Sequence, residues 1–370
     1  MSRHLVLVGG GHAHLTTLLN TAKLVSAGFK VSLVSPSRHH HYSGMGPGML
    51  AGTYEPEHIR FDVKRMAETG GAVFIEASVA RVDPTGRKLH LDNGQILPYD
   101  VCSMNAGSRV PWRGIDKSTP DVFPVKPLEN LAAARKRVLD LLETGKKPRF
   151  TVAGGGPAGF EIACALARLG RDSGKGVEIT VLADPGLLQG FPPRVRRLGA
   201  REMNRFGIRV EEGARLAAVN GGRAVLDDGR EIPADCIFLA WGVEPPAFLR
   251  ESGLLVDKAG ALFVNSFLQC PEHPEIFGAG DCISFLPRPL AKVGVYAVRQ
   301  NRVLYDNLLA ALSGGPLSAF DPGGPYLLVF NLGDGRGLFF KRGFAATGKW
   351  AFVFKDYIDR RFIRRFGGGV

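Results

Sequence analysis

The 370-residue chain is poor in cysteine: it has five, and no two of them stand as C-x-x-C. So few thiols exclude a disulfide framework or a zinc cluster and point to a reducing cytosol. Long hydrophobic runs are missing too, since no apolar stretch approaches the roughly 18 residues that cross a bilayer. A strand-like run begins at Leu5 without the charged, apolar and small-residue succession of a secretory leader, so no leader is expected. Acidic residues are outnumbered by basic ones, 35 to 47, which leaves a net charge of +12. That surplus asks for an acidic neighbour: nucleotide phosphates, anionic lipid or nucleic acid. The basic residues form no single run and no base-reading motif, so no nucleic-acid partner is expected.

With 45% hydrophobic and 22% charged residues, the chain is globular. Its 48 glycines and 24 prolines follow no collagen period and cluster at turns, in keeping with an α/β protein. Its length fits two domains and a smaller third part. Leu5–Val8 reads as a buried strand, Leu15 to about Val25 as a helix and Lys30–Val34 as a strand. Phe150–Ala153, Phe160–Leu169 and Val177–Leu182 repeat that βαβ plan 145 residues later. A β-meander follows each unit, marked by the turns Asp92-Asn93-Gly94 and Asp227-Asp228-Gly229. Each half then ends on an apolar strand closed by a glycine, Val101–Gly107 and Ile237–Gly242.

Between strand and helix in each unit lies a glycine cluster. A G-x-G-x-x-G turn binds a dinucleotide pyrophosphate. The first glycine makes the turn, the second lets backbone approach phosphate, the third lets helix and strand pack, and the helix N-terminus supplies free N–H groups. The second cluster, Gly154, Gly156 and Gly159 with Pro157 and Ala158 between them, fits throughout. The first has Gly9 and Gly11, followed by His12 and Ala13, but His14 holds the third position. The acidic residue that usually binds the ribose at the end of the following strand is replaced by Ser35, next to Pro36. In the second unit Asp184 could accept from a ribose 2′-hydroxyl, which favours NADH. It stands one residue late, and Arg194, Arg196 and Arg197 lie downstream, so NADPH stays open.

Other features carry two readings each. His39-His40-His41 suggests a metal, but three consecutive side chains cannot share one face, so an exposed or ligand-adjacent loop is expected. Lys126 is either a linker residue or a solvated charge. The five cysteines read as core thiols. Trp350–Phe366 is aromatic and basic, with Phe354, Ile358, Phe362 and Phe366 every four residues, and Lys355, Arg360 and Arg364 on other faces. That is the pattern of an interfacial helix or of one docked on protein, with Gly367, Gly368 and Gly369 ending it.

Ile276-Phe277-Gly278-Ala279-Gly280-Asp281 resembles the second flavin motif of the pyridine nucleotide-disulfide oxidoreductase superfamily. Gly107 and Gly242 match its strand-ending glycines. Within it the chain looks most like type II NADH dehydrogenases, and closer still like the flavoprotein portion fused to selenide, water dikinase in some bacteria. The residues carrying this are Gly9–His14, Tyr42-Ser43-Gly44-Met45-Gly46-Pro47-Gly48, Lys292–Gln300 and Lys355–Phe362. His14 and Ser35 are ordinary for that subgroup. The resemblance implies a glutathione-reductase-like fold with two Rossmann-like domains, β-meander insertions and a C-terminal segment. The implied division is FAD-binding residues 1–112 and 256–325, NAD(P)-binding residues 113–255, and a docking segment 326–370. FAD would contact Gly9, Gly11, His12, Ala13, Ser35, Pro36, Ser43, Gly44, Met45, Ala106, Gly107, Gly280, Asp281, Gly294 and Val295. NAD(P)H would contact Gly154, Gly156, Pro157, Ala158, Gly159, Glu161, Asp184 and Gly242. Asp281 would accept from the ribityl chain. A helix from Lys292 to about Leu312 would point its positive end at the flavin. Glu161, on the second helix, would lie near the nicotinamide side, or serve only as a first-turn carboxylate.

The implied activity is an FAD-dependent NAD(P)H oxidoreductase with a quinone-like acceptor. Alternatives are a sulfur- or selenium-compound oxidoreductase of the same fold and a low-turnover flavin-binding partner protein. The expected location is cytoplasmic, or peripheral on the inner membrane face. Anionic lipid, the FAD domain or a second copy of the chain would cover the C-terminal segment.

Overall fold

The computed structural model describes residues 2–367. Two five-stranded parallel sheets share one plan. The first runs in the order Ile276–Gly278, Val101–Met104, His4–Val8, Lys30–Ser35, Val73–Glu76. The second runs Val122–Pro124, Cys236–Leu239, Arg149–Ala153, Glu178–Ala183, Arg209–Glu212. Parallel sheets are covered on both faces, which explains the unbroken apolar run Leu5–Val8 in the strand His4–Val8, buried at every position. In each sheet the chain order reverses beside the glycine-turn strand. Ligands of open α/β sheets bind at that switch point, beyond the carboxyl ends of the strands.

Both meanders form as three-stranded antiparallel sheets, turning at Asp92–Gly94 and Asp227–Gly229. The strands leading to Gly107 and Gly242 stop sooner than the sequence suggests, at Met104 and Leu239. Both glycines adopt positive φ, +68° and +107°, in the loops beyond. The first helix is also not continuous. It begins as a 3-10 turn at His12–His14 and runs as Leu15–Leu19 and Thr21–Ser26. At the break, the Asn20 side chain donates to the Thr16 carbonyl at 2.8 Å. Asparagine side chains compete with backbone for such carbonyls, and this one interrupts the helix. The second unit keeps a single 16-residue helix, Pro157–Asp172.

The long helix expected near Lys292 runs Gly294–Ser313. The C-terminal part holds more than the expected helix. A three-stranded antiparallel sheet, Leu328–Asn331, Gly337–Lys341 and Phe344–Gly348, precedes the helix Lys349–Arg365. Buried Glu202 binds this sheet to the second domain by accepting from Arg336 at 2.7 Å, while Arg336 also reaches Asp334 at 2.8 Å. Gly367 follows the helix with φ +67°, whereas Gly368 and Gly369 lie outside the described residues.

Candidate functional site

The two glycine turns are built alike. Val8 pairs with Met104 and Val34, and Ala153 pairs with Leu239 and Leu182, so Gly9 and Gly154 are equivalent. Both have positive φ, +87° and +132°. A Cβ on Gly9 would lie 2.4 Å from the Asn105 carbonyl oxygen, and one on Gly154 would lie 2.3 Å from that of Ala240. Each turn thus presses against the neighbouring strand end, and only glycine fits.

The third positions differ. At Gly159 a Cβ would stand 1.9 Å from the Gly154 carbonyl oxygen. His14 fills the equivalent place with a buried imidazole. Its Nδ1 donates to the Gly9 carbonyl at 2.6 Å, and its Nε2 accepts from the Ser103 hydroxyl at 2.8 Å. Only a neutral ring can do both, and burial lowers its pKa to about 4, partly offset by the Gly9 carbonyl. His14 therefore ties its own turn to the adjacent strand.

The first turn opens on a cavity of about 570 Å³, within the size range of small-molecule and cofactor sites. Its wall includes Gly9, Gly11, His12, Ser35, Pro36, Ser43, Ala106, Gly107, Gly280, Asp281 and Gly294. Ala13, Gly44, Met45 and Val295 do not border it; Ala13 and Met45 are core residues instead. Helical and turn geometry directs these side chains away while their neighbours line the wall. The second sheet's side adds Lys126–Glu129 and Pro246–Phe248, so the cavity lies where the two halves meet.

Sequence reasoning missed Asn105 and undervalued Lys126. Asn105 lines the cavity, and its buried Nδ2 has no partner among the described residues. Aligning the two halves would have exposed it, because its equivalent is Ala240. Lys126 is no solvated charge: its ammonium contacts the Asp281 carboxylate and donates to Ser108 Oγ at 2.9 Å. The Ser108 hydroxyl donates to Asp281 at 2.9 Å. Burial pushes the Asp281 carboxyl up, but Lys126, Ser108 and Lys292 more than offset it and hold it below the usual range. These residues fit FAD. The glycine turn and helix start can take a diphosphate, Asn105 offers an unpaired donor, and ionised Asp281 can accept from sugar hydroxyls.

Ser35 closes its strand, and its hydroxyl donates to the Ser37 carbonyl at 3.0 Å. Its equivalent in the second unit is Ala183, so Asp184 is indeed one step late and matches Pro36. The Asp184 carboxylate is engaged by Arg215. Arg194 is turned to the C-terminal sheet, 5.7 Å from the Phe344 ring centroid. Around the second turn a Cβ on Gly156 would meet nothing within 4 Å. Pro157 and Ala158 begin the helix there.

The three histidines lie in the short strand His39–His41, whose alternation separates them. His40 turns inward and its Nε2 lies 3.0 Å from Nδ1 of His12. His41 contacts Glu129 at 3.0 Å. All five cysteines are buried, and burial pushes the Cys236 and Cys282 thiols up to about 12 and 11. None is a ready nucleophile.

Glu161 lies under the C-terminal sheet, where it accepts from the Asn331 N–H at 2.7 Å. Burial pushes its pKa up to about 7, against the opposing pull of Lys355 and that N–H. Lys355 lies off the exposed aromatic face, and its own face turns into the protein. It is buried, donating to the Gly44 carbonyl and to Asp359. The Tyr42 hydroxyl donates to Asp359 at 3.0 Å. The four-residue aromatic stripe explains this placement. Four residues on an α-helix overshoot one turn by about 40°, so the stripe winds around it. Phe362 and Phe366 reach the first domain, stacking near His12, Tyr42 and Phe61. Trp350, Val353, Phe354 and Tyr357 face outward, 45–64% exposed.

Comparison with known proteins places the chain. The family model described as pyridine nucleotide-disulphide oxidoreductase matches residues 3–302. The type II NADH:quinone oxidoreductase of Staphylococcus saprophyticus is 26% identical over 399 residues, covering 99% of this chain and 96% of that protein. The sulfide:quinone oxidoreductase structure from Aquifex aeolicus superposes with a TM-score of 0.82 at 18% identity, over 99% of this chain and 91% of its own. The structure of NDH2 from Plasmodium falciparum in complex with NADH gives 0.81 at 14% identity, over 100% and 99%. The chain belongs to the pyridine nucleotide-disulphide oxidoreductase family and is a pyridine nucleotide-dependent flavin oxidoreductase.

Proposed function

We propose that this family member transfers electrons from NADH or NADPH to a membrane quinone, with FAD held in the large cavity. The carrying observation is the pairing of two equivalent dinucleotide turns with one cavity bordered by both halves of the molecule. FAD, when bound, supplies the redox chemistry of accepting hydride and releasing electrons. The backbone N–H groups after Gly9 and Gly11 receive its diphosphate, and Asp281, fixed by Lys126 and Ser108, receives its sugar-chain hydroxyls. The helix Gly294–Ser313 starts at the cavity wall, where its positive end would stabilise negative charge on a bound group by about 1 kcal/mol. The turn at Gly154 and Gly156 receives the exchanging nucleotide.

A quinone is favoured over a sulfur or selenium compound for two reasons. The cysteines are buried and protonated, so no thiolate is available to carry a chalcogen. The outer face of the C-terminal helix carries Trp350, Val353, Phe354 and Tyr357 beside Lys349, Arg360 and Arg361. An apolar face rimmed by cations suits an anionic membrane surface, where a quinone resides. No helix among the described residues is long and apolar enough to cross the membrane.

The test is anaerobic reduction of the yellow holoprotein. NADH or NADPH should bleach it, and a short-chain quinone should restore the colour. Restoration by polysulfide but not quinone would favour the second reading. Failure of both nucleotides to bleach it would leave the flavin-binding partner role. Substituting Trp350, Phe354 and Tyr357 with serine should abolish binding to anionic vesicles while preserving bleaching. Loss of a dimer instead would assign that face to a second copy.

A further inference from the structure

The nucleotide end of the second turn carries an arrangement that bears on which nicotinamide cofactor it accepts. Resting on the function proposed above, we infer that the Asp184–Arg215 pair admits both NADH and NADPH, with Arg215 receiving the 2′-phosphate. The strand register puts Ala183 where a ribose-binding carboxylate usually stands. The turn packs closely on it, since a Cβ on Gly155 would lie only 2.6 Å from the Ala183 Cβ. A carboxylate beside the 2′ position repels a 2′-phosphate; here it stands one residue later, at Asp184, where Arg215 offsets its charge.

Asp184 follows at the strand end, and its carboxylate is contacted by the Arg215 guanidinium. The Arg215 side chain is 67% exposed, so it can leave Asp184 at little cost. Several neighbouring charges are committed elsewhere. Arg230 pairs with Asp228 and Glu211. Glu212 accepts from the Leu187 N–H at 3.1 Å, fixing the loop after Asp184. Arg194 and Arg201 face the C-terminal sheet. Arg215 is thus a cation at this strand end whose partner can be exchanged. With NADH, Asp184 accepts from the ribose 2′-hydroxyl while retaining Arg215. With NADPH, the planar guanidinium turns to the 2′-phosphate, which it can bind bidentately.

Calorimetry of the holoprotein with 2′,5′-ADP and 5′-AMP tests this, alongside anaerobic bleaching by NADPH and NADH. The wild type should bind both analogues and be bleached by both dinucleotides. Arg215→Ala should weaken 2′,5′-ADP by about tenfold or more and leave 5′-AMP nearly unchanged, while Arg215→Lys should retain part of the affinity. Asp184→Ala should shift preference toward 2′,5′-ADP. An unchanged ratio of the two affinities in Arg215→Ala overturns the inference, as does a wild type that binds 5′-AMP but not 2′,5′-ADP. A wild type that binds neither analogue and is bleached by neither dinucleotide overturns the proposed function as well.

Discussion

The two βαβ units share strand order, register and the clash that fixes their first glycine, yet they are finished differently. Around the first turn the space is filled with polar side chains: His14 in place of glycine, Asn105 in place of alanine, and His12 against His40. The cavity beyond is bordered by the Lys126–Asp281 contact. Around the second turn the equivalents are Gly159 and Ala240, the space at Gly156 is open, and the charged pair at the strand end is exposed. A crowded, hydrogen-bonded cradle suits a ligand held through every turnover, and an open one suits a ligand that must leave. On the function proposed above, one backbone plan is adapted to resident and exchanging dinucleotides by the side chains beside it.

The strongest way to break this contrast is to damage the shared feature. Gly154→Ala adds a Cβ at φ +132° against the Ala240 carbonyl and should destabilise the protein by about 3 kcal/mol or more in urea unfolding. It should also slow bleaching by nicotinamide nucleotide while FAD stays bound. If FAD is lost first, the turns have been assigned the wrong way round. His14→Gly restores the general glycine pattern to the first turn. It should nevertheless cost about 2–3 kcal/mol, because the Gly9 carbonyl and Ser103 hydroxyl lose their buried partner. A more stable variant would show that His14 is a tolerated oddity.

A third test concerns Glu161, on the helix of the open unit. Its folded pKa of about 7 exceeds its usual 4.5, so the folded protein binds more protons between those values. Stability should therefore fall as pH rises from about 4.5 to 7, by at most about 1.4 kcal/mol per unit. Glu161→Gln should flatten that slope, read from urea midpoints at pH 5, 6 and 7. Equal slopes would show that the carboxyl is ordinary. The smallest effect belongs to Ser35→Ala, which removes one hydrogen bond to the Ser37 carbonyl and should cost about 1 kcal/mol, with FAD retained. Loss of FAD would instead make Ser35 an essential ribose contact of the cradle.

Much of the fold was legible because the features that encode it are local. The buried strands, the glycine turns and the meander turns at Gly94 and Gly229 each follow from short stretches of residues. The break at Asn20 was not, since it depends on which carbonyl one side chain meets. The sheet before the C-terminal helix was also missed; it lacks a long alternating pattern and gains its stability from docking through Arg336 and Glu202. Among site residues, glycines were readable from their spacing. Asn105 and Lys126 acquire meaning only from what lies opposite them.

Sequence alone determined an α/β chain with two glycine turns of the dinucleotide-binding kind, because a tight turn, a close approach and a parallel strand each demand particular residues within a few positions. Tertiary structure alone decided the rest. It turned Lys355 inward and left Phe354 outward on one helix, gave His14 its two partners, and set Arg215 against Asp184. Those outcomes rest on contacts between residues far apart in the chain, whose energies no local pattern contains.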